Sequence, residues 1–462
     1  MSFDLAQLAG MRVTIMGLGL HGGGAASAAF FAGHGAEVTV TDLRDEAELS
    51  ASIDALSPYP LRYVLGRHEE RDFREADIVI KNPAVPLSSP YLAAARLVET
   101  DISIFLQLCS RPVAAITGSK GKSTVASALH HAVSQTFPSA RLGGNITVSP
   151  LTFLDEMAAA SPETPVVLEL SSWQLADLRG KGVLRPRVAA ITNILPDHQN
   201  RYRSMEEYVG DKRLIYADQG GDDFTLCNLD DAYGRDFARE TRGQVRLFSA
   251  RGLAADAEGG WLEGRSGLVR VGGAVEEVVP EQVKLPGPHN RLNLLVAALA
   301  ARLMGVASAI IRERLAAFEG IPHRLSLVRE WHGVRFYNDS AATIPEATVA
   351  AIESFTGPVI LIAGGTDKSL DFAVLRPVAS RPKEIVLLSG SATVKAVAIL
   401  EQAGRSYRGP FASLDAALAC ALERAQPGDT VLFSPGCASF EMFRNEFDRG
   451  LTFVSLVGAL PA

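Results

Sequence analysis

The chain has 462 residues, 47% of them hydrophobic and 21% charged, with a formal net charge of −7. That length exceeds what one hydrophobic core supports, so roughly two to four domains are expected, and the composition excludes a disordered or fibrous chain. The acidic balance excludes a nucleic-acid binder, which needs a basic face toward phosphates. Cys109, Cys227, Cys420 and Cys437 stand far apart with no C-x-x-C pair, so neither a zinc site nor a disulfide framework is expected and a reducing cytoplasm fits. The first residues lack a basic stretch ahead of an apolar run, and no run reaches about 18 apolar residues, so neither a signal peptide nor a membrane span is expected.

In chain order, "RVTIMG", "EVTVTD" and "ADIVIKNP" read as strands with the helical pattern "GGAASAAFFAGHG" after the first, which makes βαβ units and a parallel sheet. A second alternating region opens near Arg111 with the strands "PVAAITG", "PVVLELSS" and "VAAITNIL". Residues 255–284 have short β-rich runs divided by Gly pairs, the pattern of a small antiparallel sheet attached to this region. Two helices follow, in "NRLNLLVAALAARLMG" and "ASAIIRERLAAF". After "GIPHRLSLV" a third alternating region has strands in "GVRFYNDS", "PVILIAGGT", "EIVLLSG" and "DTVLFSPG". Its helices are expected in "PEATVAAIESF", "LDAALACALERA" and "ASFEMFRNEF". The expected fold is α/β with three domains: a Rossmann-like one at 1–108, a P-loop-type ATPase at 109–321, and a second Rossmann-like one at 322–462.

Two glycine-rich turns carry chemistry. "GLGLHG", Gly17 to Gly22, follows a strand and opens a helix, and Asp42 ends the next strand 20 residues later. Such a turn lets backbone approach a pyrophosphate while the acid accepts from a sugar hydroxyl. NAD is one ligand of this shape and any nucleoside diphosphate another, and the motif alone does not choose. "TGSKGKST" is two residues shorter than a Walker A loop, with Ile116 where that loop has its first Gly. It still offers N–H groups around Gly118 to Gly121, the Lys122 ammonium and the hydroxyls of Ser123 and Thr124 at a helix N-terminus, where phosphate is favoured. Mg²⁺ requires oxygen ligands, and Glu169 and His198 stand at the carboxyl ends of the next strands.

Taken in order, "TGSKGKST", "GGNI" (143–146), "LELSSWQL", "TNILPDHQNRY", "GPHNRLNLLVAALA" and "PHRLSLV" resemble the Mur ligases, the ATP-dependent amide-forming enzymes of peptidoglycan synthesis, along the whole chain. "NDSAAT", "AGGTDKSLDF" and "SPGCASFEMF" are similar to the branch that adds glutamate to UDP-N-acetylmuramoyl-L-alanine. Neither a D-N-P motif nor an H-H-P-T-E motif, which mark other branches, is present.

The resemblance implies an acyl phosphate formed from a substrate carboxylate and ATP, then displaced by the glutamate amine. It implies ATP contacts at Gly118, Ser119, Lys120, Gly121, Lys122, Ser123, Thr124, Asn290, Asn293, Arg324 and Asp339. The UDP-substrate would meet Gly19, Leu20, His21, Asp42, Leu43, Asn82, Asn145 and His198, and the glutamate Thr343, Lys368 and Ser439. Two Mg²⁺ ions would be held by Ser123, Glu169, His198 and Lys212, with Lys212 carbamylated and Lys122, His198 and Lys212 catalytic. A cytoplasmic monomer working on small molecules only is implied. This sequence departs from the pattern at Lys120, Ala341, Ile344 and Glu446, and the last three fall near the amino-acid pocket, so L-glutamate remains an alternative acceptor there. A nicotinamide-dependent oxidoreductase would explain the first glycine turn alone, and a non-catalytic nucleotide sensor would leave Glu169, His198 and Lys212 without a role.

Overall fold

The computed structural model describes residues 5–19, 22–146, 148–195, 202–367 and 370–461. Three sheets run through them. The first is built from β1 (Arg12–Met16), β2 (Glu37–Asp42), β3 (Arg62–Leu65), β4 (Ile78–Lys81) and β5 (Val98–Glu99), in the order β3-β2-β1-β4-β5 with every pairing parallel. β1 stands at the centre, so the turns after β1 and β4 open on the same edge, where ligands of such sheets gather.

The second sheet contains β6 (Val113–Thr117), β7 (Arg141–Gly144), β8 (Val166–Glu169), β9 (Val188–Ile191), β10 (Phe224–Asn228), β11 (Gln244–Ser249), β12 (Gly259–Glu263), β13 (Ser266–Val271) and β14 (Ala274–Val279). Its order is β14-β13-β12-β11-β10-β9-β6-β8-β7. Every residue of β6, β8 and β9 is buried, which is why these segments are continuous apolar runs: helices cover both faces of a parallel sheet. The antiparallel part expected at 255–284 is β12 to β14, and it prolongs the parallel sheet through the parallel pairing of β12 with β11.

The third sheet has β15 (Ser326–Trp331), β16 (Val334–Asn338), β17 (Val359–Ala363), β18 (Glu384–Leu388), β19 (Arg408–Phe411) and β20 (Thr430–Phe433), ordered β15-β16-β20-β17-β18-β19. Only the edge strand β15 is antiparallel to its neighbour.

Two compact units divide the chain. One comprises Met1–Glu281 with Leu292–Ala316 and holds the first two sheets; the other comprises Gln282–Arg291 with Ala317–Ala462 and holds the third.

One expected helix is displaced. Turns occupy most of "ASFEMFRNEF", and the helix begins only at Glu446. Local bonds explain the delay: Ala438 bridges to Thr366, the Glu441 N–H donates to Thr366 Oγ1, and Asn445 caps the helix by accepting from the N–H groups of Phe447 and Asp448. An N-cap of this kind sets a helix start more firmly than apolar spacing does. No helix among the described residues is long and apolar enough to cross a membrane.

Candidate active site

β6 ends at Thr117 and the helix Lys122–Val133 follows after four residues, Gly118 to Gly121. Gly118 and Gly121 have φ of 140° and 84°, and a Cβ on either would collide with Thr192 or Asn293 respectively, so the tight turn demands glycine. Lys122 Nζ donates to the carbonyls of Gly118 (2.9 Å) and Ser119 (3.1 Å). The N–H groups of Ser119 and Lys120 already donate to Asn193, at 2.8 and 3.0 Å. The donor set expected from the loop therefore contracts toward the first turn of the helix, whose N–H groups precede the ladder. The Ser119 hydroxyl is buried between the Leu195 backbone and the Tyr208 hydroxyl.

Glu169 closes β8, in register with Ile116 of β6 and Gly144 of β7. It does not cap the helix Ser172–Asp177, since Ser171 does so in a capping box with Gln174. Its side chain is 1% exposed; Oε1 accepts from Asn145 Nδ2 at 3.0 Å, while Oε2 is buried with no hydrogen-bond partner among the described residues. A sequestered carboxylate oxygen is costly unless something cationic meets it. Glu169 and the buried Ser123 hydroxyl are hard oxygen donors, and together they fit a Mg²⁺ ion, which takes one or two carboxylates and completes its shell with water and phosphate. Hence the lack of any group of three or more His, Cys, Asp or Glu among the described residues does not count against such an ion. His198 lies outside the described residues.

Lys212 is not the solvated lysine that a helix of this composition ordinarily carries. It is 1% exposed on the helix Met205–Arg213, with Nζ 2.9 Å from the Gly118 carbonyl, 3.4 Å from Thr117 Oγ1 and 4.8 Å from the Tyr208 ring centre. Tyr208 in turn bonds Ser119 at 2.9 Å, so this helix grips the underside of the phosphate loop at two points.

A cleft of about 1060 Å³ joins the two sheets of the first unit. One wall carries Gly17, Gly19, Asp42, Leu43 and Asn82; the other carries Lys122, Asn145, Trp173, Tyr208 and Lys212. Asp42 is buried, with one oxygen accepting from the Gly19 N–H at 3.1 Å and the other from the Arg44 N–H at 3.0 Å, so it holds the glycine turn in shape. Asn82 sits against Gly17 and accepts from the Ala84 N–H. Arg44, His68 and Tyr91 also line the cleft and were not singled out by any motif. Leu20 and His21 lie outside the described residues.

The two walls are joined by a buried ion pair. Lys81, at the end of β4, meets Asp177 at 2.5 Å, with side-chain exposures of 1% and 3%. Removing one partner strands a buried charge, which costs about 3–5 kcal/mol, whereas replacing both with apolar groups is often neutral. Asp177→Leu alone is therefore expected to lower the thermal midpoint sharply and Lys81→Met with Asp177→Leu to restore most of it; equal midpoints for the single and double variants would contradict this.

In the second unit, Asp339 accepts from Ser434 Oγ at 2.7 Å and from the Leu325 N–H at 3.1 Å, and burial pushes its carboxyl up to about 7. Arg324, beside Leu325, is exposed, and Asn290 Nδ2 donates to the Pro286 carbonyl. Ser439 is buried and Thr343 half-buried; Lys368 lies outside the described residues. One residue missed by every motif organises this region. Arg449 is wholly buried and donates to the carbonyls of Ser340 (2.7 Å), Cys437 (3.0 Å) and Ala438 (3.2 Å), clamping the loop after β16 to the loop after β20.

Comparison with known proteins finds three family profiles along the chain: a Mur ligase MurD-like N-terminal domain at residues 11–104, a Mur ligase middle domain at 116–301, and a Mur ligase glutamate ligase domain at 323–437. A UDP-N-acetylmuramoylalanine–D-glutamate ligase of Roseiflexus sp. (strain RS-1) is 43% identical over 98% of this chain and 99% of its own. The enzyme of that name from Treponema pallidum (strain Nichols) is 40% identical over 98% of both chains. Among solved structures, UDP-N-acetylmuramate–alanine ligase of Thermotoga maritima superposes with a TM-score of 0.62 at 17% identity, covering 98% of this chain and 100% of that one, a likeness of fold.

Proposed function

We propose that this chain, which belongs to the Mur ligase family, joins D-glutamate to UDP-N-acetylmuramoyl-L-alanine at the expense of ATP in peptidoglycan precursor synthesis. The observation that carries the proposal is one cleft lined both by the glycine turn of the first sheet and by Lys122, which follows the phosphate loop of the second. A nucleotide sugar held along one wall presents its carboxylate toward Lys122 on the other.

The substrate carboxylate attacks the γ-phosphorus and ADP leaves; the glutamate amine then attacks the acyl carbon of the acyl phosphate and phosphate departs. Both partners of the first step are anions, so the chain must supply positive charge and exclude water. Lys122, at the helix start, is suited to the β- and γ-phosphates. Mg²⁺, held by Ser123 and Glu169 when bound, would supply further neutralising charge to the transferring group. Asn145 keeps Glu169 oriented. We assign Lys212 to the same reaction as a carbamate, formed when its neutral amine adds CO₂ and loses a proton, with a second ion near it. His198 is the further ligand this assignment calls for. Asn290 and Asn293 are assigned to the adenine side of ATP, Arg324 and Asp339 to its phosphate and ribose, and Thr343, Lys368 and Ser439 to glutamate. The division into domains at 1–108, 109–321 and 322–462, the monomeric state and the cytoplasmic location belong to the same proposal.

Phosphate release from ATP, measured with and without UDP-N-acetylmuramoyl-L-alanine and with D- or L-glutamate, tests it. Release is expected to need both the nucleotide sugar and D-glutamate, with L-glutamate slower by about 10²-fold or more because a misplaced carboxylate leaves polar groups unpaired. Release that is indifferent to either co-substrate would refute the ligase reading, and a preference for L-glutamate would reverse the stereochemistry.

A further inference from the structure

We propose that His68 is a specificity-determining residue of the nucleotide-sugar cleft, its imidazole Nε2 accepting a hydrogen bond from the nucleoside of the bound substrate. The inference rests on the functional reading that this cleft takes a uridine nucleotide. His68 follows β3 and lines the cleft near Asp42 and Tyr91. Its ring is held on two sides. Phe73 and Tyr91 meet it edge-on, with centroids 5.7 and 5.0 Å away, and Nδ1 lies 2.7 Å from Thr41 Oγ1.

Satisfying both contacts of Thr41 assigns the imidazole proton to Nδ1. Its hydroxyl also lies 3.2 Å from the Arg67 carbonyl, which can only accept. A hydroxyl has one proton to give. If Thr41 donates it to Arg67, the contact with His68 must run from Nδ1–H to Thr41, and only this tautomer satisfies both bonds. Nε2 is then a lone-pair acceptor. It has no partner among the described residues and is not among the sequestered polar atoms, and the residue that carries it lines the cleft. Burial lowers the imidazole pKa, against a smaller opposing pull from Asp42, which keeps the ring neutral and the acceptor intact near pH 7.

The position gives this nitrogen its work. Asp42, the acid that a dinucleotide fingerprint would turn toward a ribose, already receives the N–H groups of Gly19 and Arg44. An O–H or N–H of a nucleoside reaching this end of the cleft meets His68 as an acceptor without a donor. Two groups of a uridine nucleotide have that chemistry, the imide N–H of the base and a ribose hydroxyl.

Calorimetric titration of the full chain with UDP tests the assignment in the wild type and three variants. His68→Asn keeps an amide nitrogen for Thr41 but deletes Nε2, His68→Phe keeps the ring edges for Phe73 and Tyr91, and His68→Gln sets an amide oxygen near the Nε2 position. The Asn and Phe variants are expected to bind UDP about tenfold more weakly and the Gln variant to recover most of the loss, as for one hydrogen bond; in turnover the loss falls on KM for the nucleotide sugar. The variant effect should vanish with CDP if the base imide is the donor, or with 2′- or 3′-deoxy-UDP if a ribose hydroxyl is. Wild-type affinity in the Asn or Phe variant, or a loss undiminished with all three analogues, overturns the assignment while leaving the ligase reading standing. Failure of the wild type to bind UDP overturns both.

Discussion

Lys212→Ala is expected to lower kcat by about 10²- to 10³-fold, the cost of removing one preorganised group from a site of charge transfer. A purely structural reading predicts otherwise. The side chain is buried, so deleting it opens a cavity costing about 2–5 kcal/mol, but the Gly118 carbonyl still receives Lys122. The fold should survive with a thermal midpoint lower by a few degrees. Lys212→Met separates the effects, since it fills the space without the amine and should be as inactive as the Ala variant yet more stable. Small carboxylic acids should restore part of the activity of the Ala variant, where the cavity admits them, and none in the Met variant. A kcat within a factor of about two of wild type in either variant, less than one hydrogen bond is worth, would remove Lys212 from the mechanism.

Glu169→Gln is expected to move activity and stability in opposite directions. The amide is isosteric and its oxygen can still accept from Asn145, so the loop geometry is retained. Turnover should nevertheless fall by about 10²-fold or more, and the Mg²⁺ concentration needed for half-maximal rate should rise, because a neutral amide neither attracts nor orients the ion as a carboxylate does. Stability should be equal or higher by about 1 kcal/mol, since the sequestered group that lacks a partner among the described residues becomes neutral. Such a trade is usual where a site is built for a ligand at the fold's expense. Thermal unfolding without Mg²⁺ and a Mg²⁺ titration of ATP turnover check the two halves separately. A destabilised variant with normal Mg²⁺ dependence would make Glu169 a structural residue only.

These features were unequally legible in the chain. β6, β8 and β9 announce themselves because a strand covered on both faces is an apolar run, β1 and β2 because β-branched residues dominate them, and "TGSKGKST" because a phosphate turn needs glycine where φ is positive. β3 and β5 do not: one has four residues, exposed at its start, and the other two, too short for a periodicity. Arg449 sits in "EFDRG", which reads as a solvated stretch; it is buried against carbonyls of two loops, one of them 109 residues away in sequence, which no local pattern encodes. The misplaced helix at 438–447 has the same origin, since the tertiary bonds to Thr366 prevail over a helical spacing. For Lys212, likeness to a family supplied the position, and the packing beneath Gly118 supplies a physical reason that the residues around it in sequence do not contain. The partners of the Ser119 hydroxyl, Leu195 and Tyr208, lie 76 and 89 residues away in sequence and are likewise beyond local pattern.

The ion pair between Lys81 and Asp177 separates two responses to ionic strength. The attraction between an anionic substrate and Lys122 in the cleft crosses solvent, where a Debye length of about 8 Å at 0.15 M screens it. The pair that fastens the walls is sealed from solvent and scarcely feels that screening. Rising salt therefore weakens the capture of substrates well before it loosens the frame that receives them.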